Sequence, residues 1–189
     1  MSVAPKVVRG HVYAHSAVLA LGGNLGRRLD NLQAALDALV DTPGLVVTGI
    51  SAVYETEPFG GPPGEPGSLD LSGQPNYLNA VVGVVTDLPA QVLLVRTQAI
   101  EQAMHRVREE RWAPRTIDVD IIVYDDLVSA DAALTVPHPH AHERLFVLLP
   151  WRDVDPAAEI PGRGPIAVLL DSFDGAQGVM RRDDLALQL

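Results

Sequence analysis

The segment Ile117-Asp118-Val119-Asp120-Ile121-Ile122-Val123-Tyr124 constrains this chain more than any other. It is apolar and rich in β-branched residues, so it reads as a buried strand, yet it carries two carboxylates. Alternate side chains of a strand share a face, about 7 Å apart along the chain. Asp118 and Asp120 therefore stand together, with Ile117, Val119, Ile121 and Val123 opposite. Two adjacent carboxylates on a desolvated face repel each other. A divalent cation between them removes both penalties. Oxygen-only ligation favours Mg²⁺, completed by oxygens of substrate phosphates. Two ordinary surface carboxylates on a wet face are the plainer reading of an isolated Asp-x-Asp. The run Arg111-Trp112-Ala113-Pro114-Arg115-Thr116 directly before the pair moves the balance toward a site.

The elements around this strand set the fold class. Ala17–Leu21 is a short apolar run ending in Gly22-Gly23-Asn24, a strand and a tight turn. Leu29, Leu32, Ala35, Leu36 and Leu39 recur at helical spacing until Pro43-Gly44 ends the helix. Val46–Tyr54 and Tyr77–Thr86 read as strands, and Pro89 opens a helix running to about Val107. Short helices are expected over 142–149 and 166–170. The order is strand, helix, strand, strand, helix, strand. It predicts a ferredoxin-like α+β fold: an antiparallel sheet of split βαβ topology with helices packed on one face. Residues 1–15 are expected to be a flexible extension, and 16–189 a single domain. Glu57–Gln74 and Arg108–Arg115 are irregular stretches that suit lids closing over a site.

Composition narrows the function classes. The 189 residues include no cysteine, which excludes disulfides, thiolate zinc sites and Cys nucleophiles and fits a cytoplasmic protein. No apolar run approaches the roughly 18–20 residues of a membrane-spanning helix. The net charge of −10 argues against nucleic-acid binding. It does not exclude an anionic substrate, because Arg106, Arg108, Arg111 and Arg115 fall within ten residues. Glu109 and Glu110 dilute that patch, and a solvated basic loop is its plainer reading. Gln98 and Glu101 share a helix face with Leu94, as a solvated flank or as contacts to a nucleotide. Tyr77 and Asn79 share a strand face, where an Asn amide can read a heterocycle edge. A zinc site at His138, His140 and His142 is the minority reading, since no carboxylate partner accompanies them.

Four segments together resemble the 6-hydroxymethyl-7,8-dihydropterin pyrophosphokinase family of folate biosynthesis. They are Leu21–Gly26, Tyr77–Ala80, Arg111–Asp120 and Leu134–His138, and the resemblance spans about Ala17 to Pro156. It implies transfer of the terminal diphosphate of ATP to the pterin hydroxymethyl oxygen, with release of AMP. By matching position, Asp118 and Asp120 would bind two Mg²⁺ ions, and Arg106 and Arg115 would contact phosphates. Leu94, Gln98, Glu101, Arg108, Ile121, Thr135, His138 and Arg144 would form the ATP site. Thr56, Phe59, Tyr77, Asn79, Trp112 and Phe146 would form the pterin site. Gly23 stands where the family usually has Ser, and Ala133 where an Arg is common. ATP and the pterin are the implied partners, and a monomer is expected. A non-catalytic ferredoxin-like binding module and a Mg²⁺-dependent phosphohydrolase remain alternatives. AMP formation in the presence of the pterin separates all three.

Overall fold

The structure is a computed structural model that describes residues 6–8, 10–58, 73–104, 115–175 and 178–189. The chain opens with β1 (Lys6–Val8), β2 (His11–Tyr13), β3 (His15–Gly23) and α1 (Arg28–Val40). Then come β4 (Leu45–Ile50), β5 (Tyr54–Thr56), β6 (Tyr77–Thr86) and α2 (Ala90–Ala103). The second half holds β7 (Asp118–Tyr124), β8 (Ser129–Ala130), β9 (Thr135–Val136) and α3 (Leu145–Val154). It ends with β10 (Glu159–Ile160), β11 (Gly164–Pro165), α4 (Ile166–Asp171) and β12 (Val179–Arg181).

The main sheet runs β12-β5-β6-β3-β7, and β4 also pairs with β6. All its ladders are antiparallel. The expected strand–helix–strand–strand–helix–strand order is present, with β3 at the centre between β6 and β7. The single strand read over Val46–Tyr54 divides into β4 and β5, separated by Ser51-Ala52-Val53. The stretch 1–15, expected to be flexible, contains the β1–β2 hairpin, which turns at Gly10 with φ of 81°. His11 Nε2 lies 2.8 Å from the Asp87 carboxylate, and the Ala14 N–H donates to it at 3.2 Å.

The expectation that helices cover one face needs correction. α1 turns Leu32, Ala35, Leu36 and Leu39 inward, all fully buried, at the spacing of one helical stripe. They pack with Leu93 and Ile100 of α2 against Leu19, Leu21, Val82 and Val119. The opposite face has its own core, where Val147, Leu148 and Trp151 of α3 meet Val81, Ile122 and Val123. The second core was illegible locally because strand alternation shows only that both faces of β3 and β6 are apolar, not which helix covers each. A bulge in β7 also overturns the expected facing of Val123. Leu19 pairs with Ile121 while Val18 pairs with Val123, so Ile122 is an extra residue. The phase flips there, and Val123 joins Ile122 under α3 while Tyr124 crosses to the other core.

At the end of β3 two backbone segments approach closely. A Cβ on Gly23 would stand 2.3 Å from the Thr116 carbonyl oxygen, inside any tolerable contact. Gly23 therefore lets the segment leading into β7 lie directly on β3. Gly23→Ala should displace that segment and cost about 1–3 kcal/mol, read as a lower urea midpoint. An unchanged midpoint would contradict the tight approach.

Candidate functional site

A half-open cavity lies on the α3 face, where β3 meets its two neighbours. Its floor is low because β3 contributes Ala20, Leu21 and Gly22 there, and the Leu21 side chain is buried in the core of the opposite face. Gly22 pairs with Asn79 of β6 on one side and Asp118 of β7 on the other, and Ala20 pairs with Asp120. Larger neighbours rise on both sides of this trough. Tyr77, Asn79 and Thr56 form one wall, Asp118, Asp120 and Arg115 the other, and Arg144, just before α3, and Phe146 of α3 close it. Phe146 packs under the Arg144 guanidinium, 5.6 Å from ring centroid to Cζ.

The two walls are prepared differently. Asn79 and Thr56 are buried, and the Asn79 Nδ2 donates to Thr56 Oγ1 at 2.9 Å. That bond fixes the amide orientation and leaves Asn79 polar capacity for a ligand edge. The other wall is charged. Arg115 pairs with Asp118, and the carboxylates hold its pKa above the usual value although burial opposes the charge. Burial, with Arg115 nearby, lowers the Arg144 pKa against the pull of Asp120 and Asp118. The like-charge repulsion expected of Asp118 and Asp120 is thus offset by two guanidinium groups. Together these groups can accept a polyanion and its cation.

Asn24 secures the backbone of Arg115. Its Oδ1 accepts from the Arg115 N–H at 2.9 Å, and the Asn24 and Leu25 N–H groups donate to the Arg115 carbonyl at 3.0 and 3.2 Å. The Asn24 Nδ2 also donates to the Pro75 carbonyl at 3.1 Å, just before β6. The sequence reads Gly22-Gly23-Asn24 as a tight turn, and the staple itself lies beyond that reading. A short polar residue directly after a close-packing Gly-Gly was the available signal.

The predicted residues fall into two places. Thr56, Tyr77, Asn79, Arg115, Asp118, Asp120, Arg144 and Phe146 line the cavity. Leu94, Gln98, Glu101, Ile121, Thr135 and His138 instead gather around β7, on α2, on β9 and on the segment after β9. Glu101 is buried, and its Oε1 accepts from the Val119 N–H at 2.9 Å. The His138 N–H donates to the Ile122 carbonyl at 2.8 Å. The backbone at Ile121 lies between these two bonds on the sheet's edge strand. Phe59, Arg106, Arg108 and Trp112, and most of both expected lids, lie outside the described residues.

A hard divalent cation fits the donor set. Asp118 and Asp120 supply carboxylate oxygens on one wall. Among the described residues no group of three or more His, Cys, Asp or Glu could hold a metal alone, so ligand oxygens would have to complete the shell. No helix among the described residues is long and apolar enough to cross a membrane.

Comparison with known proteins gives the family. The family model described as 7,8-dihydro-6-hydroxymethylpterin-pyrophosphokinase matches residues 18–156. The chain belongs to this family. It is 39% identical over 156 residues to the 2-amino-4-hydroxy-6-hydroxymethyldihydropteridine pyrophosphokinase of Synechocystis, covering 82% of this chain and 74% of that one. The enzymes of the same name from Bacillus subtilis and Mycobacterium tuberculosis are 38% and 37% identical, over 73% and 84% of this chain and 77% and 84% of theirs. The fold also matches wild-type Plasmodium falciparum HPPK-DHPS with pteroate at a TM-score of 0.62 and 16% identity. That match covers 83% of this chain and 44% of the longer Plasmodium chain.

His138 yields a pH dependence. Burial, then the charges of Arg144 and His140, push its pKa down to about 4. Arg144 Nη1 lies 3.5 Å from His138 Nε2. The unfolded chain protonates this group near its ordinary value of about 6.5. The stability tied to neutral His138 is therefore full above about 6.5 and is lost as pH falls toward about 4. His138→Gln should flatten this part of the curve, read from denaturant midpoints at pH 7 and pH 4.5. An equal loss in wild type and variant would contradict the assignment.

Proposed function

We propose that this chain transfers the terminal diphosphate of ATP to 6-hydroxymethyl-7,8-dihydropterin, giving AMP and the pterin diphosphate. The carrying observation is the single cavity in which the Asn79–Thr56 pair faces Asp118, Asp120, Arg115 and Arg144. A flat heterocycle reader thus adjoins a polyanion site. Family membership and the names of the relatives supply the substrates.

Asn79 and Thr56 orient the pterin by hydrogen bonds, with Tyr77 and Phe146 against its ring. Asp118 and Asp120 would hold two Mg²⁺ ions, which would supply charge neutralisation and alignment of the phosphates. The edge of β7 at Ile121, with Leu94, Gln98, Thr135 and His138 around it, takes the adenine end. Glu101 acts there through the backbone of Val119. The pterin hydroxymethyl oxygen attacks the β-phosphorus of ATP. Its new P–O bond replaces the bond to the bridging oxygen, which leaves with the electron pair on AMP, and the hydroxyl proton is released. Arg115, held by Asn24, meets the charge that shifts onto that bridging oxygen, and Arg144 faces the same group from the residue before α3.

Incubation with Mg²⁺, ATP and the pterin should give AMP. Free phosphate or diphosphate formed without pterin would instead indicate a phosphohydrolase, and no turnover would indicate a binding module. Asp120→Ala should keep the fold and lower AMP formation by at least about 100-fold. Wild-type rates in that variant would sink the metal-binding reading.

Arg115→Ala should lower kcat more than it raises the KM for ATP, because its contact strengthens as charge develops. A raised KM with unchanged kcat would place Arg115 in ground-state binding only.

A further inference from the structure

The C-terminal segment lies beyond the residues matched by the family model, yet it reaches the strand that carries Thr56. β12 pairs with β5 along its outer edge, with Val179 opposite Thr56 and Arg181 opposite Tyr54. The chain then continues past the start of β5, where the Arg182 N–H donates to the carbonyl of Val53, the residue before the strand, at 2.9 Å. Further on, Leu185 and Leu187 pack against the core beneath α1. Gln188 exchanges hydrogen bonds with Gln33 at 2.8 and 2.9 Å.

Both faces of β5 carry a charged clamp. On the cavity face, Tyr54 donates to Asp153 of α3 at 2.9 Å, and Arg181 stands 3.5 Å from the same carboxylate. On the other face, Glu55 is held between two guanidinium groups. Arg28 reaches its Oε1 at 2.8 Å, and Arg182 pairs with its Oε2. The Glu55 side chain is only 12% exposed, so these partners are largely shielded from water. Arg28 also donates to the Asn76 carbonyl at 2.7 Å. Thr56 and Tyr77, which pair across the ladder and both line the cavity, are thus each one residue from a clamped position.

We propose that Arg182, acting through Glu55 and Arg28, is a positioning residue for the Thr56–Asn79–Tyr77 wall. The C-terminal segment is on this account part of the apparatus that binds the heterocycle. The inference rests on the pterin reading of that wall. A three-residue strand such as β5 has few ladder bonds of its own. Its place therefore depends on what clamps it from outside. Losing Arg182 would leave Glu55 buried against Arg28 alone and release the edge of β5. The wall would then reach its binding geometry in only part of the population, which weakens apparent affinity without altering the reacting groups.

The test compares Arg182→Ala, Arg182→Lys and Asp184→Asn. Arg182→Ala should raise the KM for the pterin about tenfold, with kcat and the KM for ATP within about twofold. Arg182→Lys, which keeps the charge, should recover most of the difference. Asp184→Asn removes the charge of the outer partner of Arg182, whose carboxylate accepts from Nε at 2.8 Å and Nη2 at 2.6 Å, and should behave as wild type. An unchanged pterin KM in Arg182→Ala overturns the proposal, as does a parallel change in both KM values and kcat. Amide exchange of the substrate-free protein checks positioning without any assumption about substrate. Arg182→Ala should speed exchange over 54–56 and 77–79 but not in β3 or β7. Equal exchange in variant and wild type also overturns the proposal. If wild type does not use the pterin at all, the functional reading fails instead, and the exchange result alone decides whether Arg182 positions this wall.

Discussion

Asn24 is buried at the end of the central strand, and the site is assembled around its hydrogen bonds. One side chain and one backbone N–H grip Arg115, while the same amide grips the chain before β6. A buried amide left without these partners would cost more than each bond contributes when made. The bonds therefore act as a condition on the fold rather than as an increment of stability. Gly23 makes the geometry attainable, since any side chain there would strike the Thr116 carbonyl. With the segment pinned, Asp118 emerges in register with Gly22 and opposite Asn79 across the central strand.

The charged wall follows from this pinning. Asp118 and Asp120 are set on an otherwise apolar strand, and Arg115 and Arg144 are brought to them from two different segments. Each charge has a counter-charge nearby before any ligand arrives, which lowers the cost of holding them out of water. On the proposed reading, Arg115 exchanges the Asp118 carboxylate for a phosphate oxygen and thereby frees Asp118 for a cation.

The opposite wall depends on a different kind of support. Thr56 sits on a strand too short to hold itself, and β6 alone secures only one of its edges. Charged pairs from α1, α3 and the C-terminal segment complete the frame. The cavity is thus built by a rigid centre and a peripheral strand braced from outside. On the proposed reading, this division separates the groups that meet phosphate from those that orient the heterocycle.

Much of this was legible in the sequence because it depended on local periodicity. The stripe Leu32, Ala35, Leu36 and Leu39 announced α1, and the alternation of Asp118 and Asp120 announced a polar face on a buried strand. The pairing of Tyr77 with Asn79 on one face followed from the same period of two. Tertiary structure decided what local pattern cannot encode. The bulge at Ile122 reversed the facing of Val123, because the register of β7 is set against β3 and not within β7 itself. The second core under α3 arose because both faces of the central strands are apolar and need cover. Arg115 met Asp118 through proximity in sequence, but Asn24, Glu55, Arg28 and Arg182 came together only through long-range closure of the chain. Hydrogen bonds and ion pairs between residues far apart leave no periodic trace, so their partners are chosen only when the sheet brings the segments into contact.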